Sequence, residues 1–184
     1  MRFEPTDLPG VILVQPEVRE DLRGWFFEVY QEQKFAAAGL QAAFTQDNHS
    51  RSVRGVLRGM HFQHPHGQVK LVRVVRGEVF DAVVDVRRGS PTFGRATWAV
   101  LSEENRCQLW VPAGFAHGFC VLSDTADFVY KCSGDYSPAD ERGVRWDDPA
   151  LGIPWPVQAP RLSARDERLP ILAEVDFPLP EYEG

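Results

Sequence analysis

The chain has 184 residues, 43% hydrophobic and 25% charged, and a formal net charge of −6. That length and composition suit one globular domain; 11% aromatic residues supply a core that a disordered chain lacks. An acidic chain with no run near the roughly 18 apolar residues of a membrane span is a poor candidate for binding nucleic acid or a bilayer.

In chain order, Met1 to Pro5 lacks the apolar block of a secretion signal. Glu32 to Ala38 is Ala-rich and runs into Gly39, which predicts a short helix with a C-terminal stop. From Gly55 to Gly152 glycines recur at short intervals, and the runs between them are β-branched or aromatic: Leu71–Val75, Val79–Val86, Trp98–Leu101 and Phe128–Lys131. Short strands separated by regular turn signals predict a sandwich or barrel, not βαβ units. Pro112 and Gly114 form a turn that delivers His117 onto the next strand. Ile153-Pro154-Trp155-Pro156 reads as irregular chain laid over the domain, and a second helix is expected to begin near Ser163, whose hydroxyl is placed to cap the turn containing Arg165 and Asp166. The three cysteines, Cys107, Cys120 and Cys132, cannot all pair and show no CxxC spacing, which fits a reducing cytoplasm. With no repeat and no linker, the expectation is a single mostly-β domain over residues 1–184, its core at about 9–172 and residues 173–184 packed or extended.

Charge is not spread evenly. Between Gln46 and Arg76 stand Arg51, Arg54, Arg58, Lys70, Arg73 and Arg76 against the single acid Asp47, a local charge of +5 on an acidic chain. His49, His61, His64 and His66 fall in the same window. A cationic island suits a phosphate or carboxylate ligand, although a solvated basic face has the same composition. Strict strand alternation over Gly55–Gln63 puts Leu57, Gly59 and His61 on one face and Arg58, Met60 and Phe62 on the other, with the glycines leaving ligand space above the sheet. Alternation also places Lys70 with Val72 and Val74, and Tyr130 with Phe128 and Cys132. Such a lysine must snorkel or enter a polar pocket, and such a tyrosine needs a partner for its hydroxyl.

Seven blocks occur in order: Asp21-x-Arg23-Gly24-x-Phe26-x-Glu28; Gln46-Asp47-Asn48-x-Ser50; Gly55-Val56-Leu57-Arg58-Gly59-x-His61; Ser90-Pro91-Thr92-Phe93-Gly94; Trp110-x-Pro112-x-Gly114-Phe115-Ala116-His117-Gly118-Phe119; Tyr130-Lys131; and Leu162-Ser163-x-x-Asp166. The fifth resembles the second signature of the cupins, and the series resembles the dTDP-4-dehydrorhamnose 3,5-epimerase family. The resemblance implies a cupin-type jelly-roll sandwich or barrel with a few short helices. It also implies a metal-free, cofactor-free homodimer with shared active sites, acting on a dTDP-4-keto-6-deoxyhexose in dTDP-L-rhamnose biosynthesis. Carried over residue by residue, His61 is the proton acceptor, Asp166 its orienting carboxylate, Tyr130 the proton donor and Lys70 the cation near the C4 oxygen. Arg23, Glu28, Gln46, Asp47, Asn48, Arg58, His117, Glu141 and Arg165 would contact the nucleotide sugar and Tyr136 would stack on thymine, with Arg23 and Glu28 lent to the neighbouring subunit. Arg165 stands where many members carry Lys.

Three other readings compete. A metal-dependent cupin would draw on His61, His64, His66 and His117, but His64-x-His66 meets no glutamate before Glu78, and Lys70 and Arg58 would repel a cation. A single-centre 3-epimerase would share the base and most of the pocket. A non-catalytic sugar binder would be expected to lack His61 or Tyr130, and both are present.

Overall fold

The computed structural model describes residues 1–184. The chain forms β1 (Arg2–Pro5), β2 (Ile12–Gln15), β3 (Arg19–Asp21), β4 (Gly24–Phe26), α1 (Glu32–Ala37), β5 (Phe44–Val53), β6 (Leu57–Gln63) and β7 (Lys70–Arg76). It continues through β8 (Glu78–Asp85), β9 (Ala96–Ser102), β10 (Gln108–Val111), β11 (Phe115–Val121), β12 (Thr125–Ser133) and β13 (Glu141–Gly143), then two short 3-10 turns at Asp166–Arg168 and Leu172–Glu174. The β-branched runs are strands, and the Ala-rich segment is the one α-helix. Gly39, at φ +80°, closes the turn just beyond that helix.

Two antiparallel sheets face each other in a jelly-roll sandwich. One has six strands in the order β1-β2-β10-β7-β12-β5, the other five in the order β13-β6-β11-β8-β9. Alternation explains the layering. Val72, Val74, Leu109 and Phe128 of the first sheet meet Val79, Val83, Leu101 and Phe119 of the second in the apolar part of a shared middle layer. The Phe119 and Phe128 rings stack across it with centroids 4.1 Å apart. The alternate residues build two outer layers. Val14, Leu71 and Trp110 pack under Phe35 of α1, while Leu57, Met60, Phe80 and Val84 pack under Leu151, Leu172 and Leu179 of the C-terminal chain. Ile153 and Trp155 join that second layer, so the Pro-rich stretch does cover the sheet. Residues 173–184 also run back along the domain, with a short bridge between Arg88 and Glu181.

The pairing of β6 with β11 is irregular in a way that decides the site. His61 pairs with His117, yet Arg58 pairs with Phe119, so three steps on β6 oppose two on β11. This is a β-bulge, and it reverses the side-chain phase along the strand. Strict alternation therefore fails at Gly59–Met60: Arg58 and His61 face the same side, while Leu57, Met60 and Phe62 pack in the outer layer. Gly59 does not clear space for a ligand either. A Cβ there would lie 2.5 Å from Gly118 Cα and 2.9 Å from His117 O, and the backbone sits at φ +133°. Gly59 and Gly118 are small because two backbones touch at the bulge.

Candidate active site

The middle layer is apolar at one end and open at the other, where a cavity of about 700 Å³ enters between the sheets. On the five-stranded wall β6 presents Arg58 and His61, β11 presents His117 and β13 presents Glu141; on the six-stranded wall β5 presents Gln46, Asn48 and Ser50, β7 presents Lys70 and β12 presents Tyr130. Tyr136, Arg161, Ser163, Arg165 and Asp166 close the rim. Of the fourteen residues singled out in the sequence, eleven line this one cavity.

Three do not. Asp47 lies between Gln46 and Asn48 on β5, so alternation turns it to the outer face, where it meets Lys131 Nζ at 2.8 Å. Arg23 sits at the exposed turn between β3 and β4, held by Asp21 at 2.6 Å, and Glu28 is paired with Lys34 at 2.7 Å. Within one chain neither reaches the cavity. The cationic island also disperses in space. Arg51 is bound by both Asp127 oxygens, at 2.6 and 2.7 Å, and Arg54 is paired with Asp124 at 3.0 Å. Of the island's six cations only Arg58 and Lys70 face the cavity; Arg161 and Arg165, a hundred residues further on, supply the rest of its positive charge. Arg161 carried no signal of its own in the sequence. Its backbone is fixed on the start of β6 by hydrogen bonds with Gly55 O (2.8 Å) and Leu57 N (3.1 Å).

His61 Nε2 lies 2.6 Å from Asp166 Oδ1, on a side chain that is one-quarter exposed beside a carboxylate that is only 4% exposed. Ser163 Oγ accepts the Asp166 N–H at 3.1 Å, the cap expected of it, although the turn is 3-10 rather than α. Burial alone would raise the Asp166 carboxyl. The hydrogen bond and charge of His61, with help from Ser163 and the Gly59 backbone, outweigh it and hold the group below the usual Asp value. An ionised Asp166 only accepts, so His61 donates through Nε2, and in the neutral imidazole it is Nδ1 that carries the lone pair.

A second pair lies deeper. His117 Nε2 is 3.0 Å from each oxygen of Asp81, a carboxylate with no exposure, and burial raises Asp81 against the pull of His117 and Lys70. Lys70 is lowered chiefly by burial, and no carboxylate pairs with its ammonium. Tyr130 is raised, first by burial, so its phenol stays protonated through the neutral range; its hydroxyl has no partner within the chain. At the rim Glu141 accepts from Tyr136 Oη at 2.5 Å and pairs with Arg165, and these contacts outweigh burial to hold its carboxyl low. His64 and His66 stay outside the cavity, His66 Nδ1 resting 2.7 Å from Asp140. No three His, Cys, Asp or Glu side chains converge as a metal-binding group.

An imidazole on one sheet and a phenol on the facing one, with an unpaired ammonium on the strand beside the phenol, form an arrangement able to take a proton from one side of a ring and return one to the other. The family model of dTDP-4-dehydrorhamnose 3,5-epimerase matches residues 5–174. The chain belongs to this family. A dTDP-4-dehydrorhamnose 3,5-epimerase of Shigella flexneri is 53% identical over 168 residues, covering 90% of this chain and 93% of the relative. A dTDP-4-dehydrorhamnose 3-epimerase of Streptomyces niveus is 47% identical over 176 residues, 95% of this chain and 85% of the relative. The crystal structure of a dTDP-6-deoxy-D-glucose-3,5-epimerase of Legionella pneumophila in complex with dTDP-4-keto-L-rhamnose superposes with a TM-score of 0.96 at 44% identity, covering 100% of this chain and 99% of that one. The cupin-type sandwich expected of an epimerase of this family is therefore the fold of this chain.

Proposed function

We propose that the chain is an isomerase that inverts C3 and C5 of dTDP-4-dehydro-6-deoxy-D-glucose to give dTDP-4-dehydro-L-rhamnose, the epimerase step of dTDP-L-rhamnose formation. The observation that carries the reading is the position of His61 and Tyr130 on opposing sheets of one cavity, with Lys70 two residues along the neighbouring strand from the Tyr130 partner Val72.

The hydrogens at C3 and C5 are both α to the C4 ketone, so losing either yields an enolate. Nδ1 of His61 takes the proton while Asp166 keeps the imidazole in the right tautomer and steadies the imidazolium that forms. The Lys70 ammonium meets the oxygen on which charge develops, and its desolvation strengthens that contact. Return of the proton from the same side would restore the starting centre, so inversion needs a donor across the ring; the phenol of Tyr130 fills that role. One round at each centre gives the product. Arg58, with Arg161 and Arg165, faces the diphosphate, while Gln46, Asn48, His117, Tyr136 and Glu141 hold the rest of the nucleotide sugar.

We further propose a homodimer in the cytoplasm that needs no metal. The β3–β4 hairpin supports the dimer: Leu22, Trp25 and Phe26 stand exposed on it beside Arg23, an apolar projection that a second copy would cover while Arg23 and Glu28 enter the neighbour's cavity.

Proton NMR in deuterated buffer tests the reaction. Solvent deuterium at both C3 and C5, with the L-configured product, is the expected result; no exchange at either carbon would overturn the reading. Exchange at C3 alone would favour a 3-epimerase, a second reading that the Streptomyces niveus relative keeps open.

A further inference from the structure

Gln63, the last residue of β6, takes no part in the chemistry above, yet it is 5% exposed and its amide is used at both ends. Oε1 accepts the backbone N–H of Ser137 at 2.7 Å, and Nε2 donates to the carbonyls of His66 at 3.3 Å and Asp135 at 3.4 Å. One buried side chain thus grips the 134–140 loop on either side of Tyr136. Tyr136 itself is half exposed at the cavity rim, its N–H given to Gln46 Oε1 at 3.0 Å and its hydroxyl to Glu141 Oε2 at 2.5 Å. Glu141 is the residue paired with Gln63 across β13 and β6. The Tyr136 hydroxyl is thus held by the neighbour of Gln63 in the ladder, its own N–H by Gln46 of the facing sheet, and the backbone on either side of it by Gln63.

We propose that Gln63 is a positioning residue for nucleotide binding: it fixes the 134–140 loop so that the Tyr136 ring stands over the cavity mouth, where the planar base of a nucleoside diphosphate is received. The inference rests on the reading of the ligand as a nucleotide sugar and adds to it the element that sets base affinity. The amide is required, not merely the volume. A carboxylate at position 63 would keep the acceptor for Ser137 and lose the donor, so that an anion would face two carbonyl oxygens in a buried place. The loop carrying Tyr136 would then be pushed from its seat, while the mutually bonded His61 and Asp166, and Lys70 and Tyr130 on the facing sheet, would stay.

The test is a double-mutant cycle on dTDP binding by titration calorimetry, with Gln63→Glu, Tyr136→Ala and the pair. Gln63→Glu is expected to weaken dTDP by about tenfold or more in the parent and by less than about twofold in the Tyr136→Ala background, the signature of two residues acting as one. KM for the sugar nucleotide should rise in step while kcat for deuterium exchange stays within about threefold. Losses that simply multiply in the pair, or a fall in kcat with KM unmoved, would overturn the positioning role. Gln63→Met keeps the volume without burying a charge; it should reproduce the loss of affinity in a normally folded protein, and parent-like affinity in that variant would also overturn it. If the parent itself failed to bind dTDP, the nucleotide reading would fall first and this inference with it, a result unlike any of the others.

Discussion

Asp166 stands 105 residues beyond His61 in the chain and is held 2.6 Å from its Nε2 by a 3-10 turn that Ser163 caps. The distance and the depressed carboxyl together fix which imidazole nitrogen is free. His61→Asn removes the proposed base and is expected to lower kcat by about 10²- to 10⁴-fold and to stop deuterium entry at both carbons. Asp166→Asn is the subtler change. An amide can turn its NH₂ toward Nε2 and hold the wrong tautomer, so a fall of about 10²- to 10⁴-fold is expected there too, with substrate KM little changed. Activity within a few-fold of the parent in either variant would remove the pair from the chemistry.

On the proposed mechanism Tyr130 is the residue whose loss separates proton removal from inversion. Its burial-raised phenol is on β12, across the cavity from the His61 strand. Tyr130→Phe leaves the base, the dyad and Lys70 in place. Solvent deuterium should therefore still enter at C3, with retained configuration, while formation of the L-sugar falls by about 10²-fold or more. NMR of the recovered substrate checks it directly: exchange without inversion is the expected signature, and undiminished inversion would require a different donor.

Lys70 predicts the alkaline limb of the pH profile. Burial lowers its ammonium from the ordinary lysine value, and the mechanism uses the charged form. The Lys70 contribution is therefore fully present below that lowered pKa and is lost as pH rises through it. The limb in kcat/KM should fall at a lower pH than a free lysine would give, and it should disappear in Lys70→Arg, whose guanidinium keeps its charge but not its reach. That variant should retain less than about a hundredth of parent kcat, the scale of losing one well-placed oxyanion donor. An alkaline limb unchanged in Lys70→Arg would assign it to another group.

The faces of β7 and β12 were legible because nothing interrupts their alternation inward of the strand ends: Lys70 lies with Val72 and Val74, and Tyr130 with Phe128, as their spacing requires. The face of His61 was legible only in part. A two-residue period cannot foresee the bulge at Gly59–Met60, so strict alternation puts Arg58 on the opposite side of the sheet from His61, where the structure has them together. The cationic window misled for a related reason. Charge counted along a chain ignores partners from other strands, and Asp124 and Asp127 neutralise Arg54 and Arg51 from β12 and its approach. Arg161 escaped notice because its place depends on a lone bridge to Val56, a long-range contact with no local pattern. Asp47 inherited a role from its motif neighbours, whereas its own side chain points the other way from Gln46 and Asn48. The His61–Asp166 contact joins segments that no periodicity links, so resemblance alone brought them together.

Gly59 couples stability to the site. Its φ of +133° is a conformation that L side chains rarely adopt, and an added Cβ would meet the backbone of Gly118 and His117, neither of which has a flexible end to swing aside. Gly59→Ala should destabilise the fold by about 2–4 kcal/mol, combining backbone strain with overpacking against main chain. Urea unfolding would read this as a lower midpoint with an unchanged slope. Relief of the clash means parting β6 from β11 at the bulge, the feature that turns Arg58 and His61 to one side. The folded fraction should then lose kcat as well as stability. Gly55→Ala, at φ +77° but with no atom within 4 Å of its Cβ, is the control: it shares the backbone strain without the contact. It should cost about 1–2 kcal/mol and leave kcat alone. Equal losses of kcat in both variants would mean that the bulge does not set the geometry of the base.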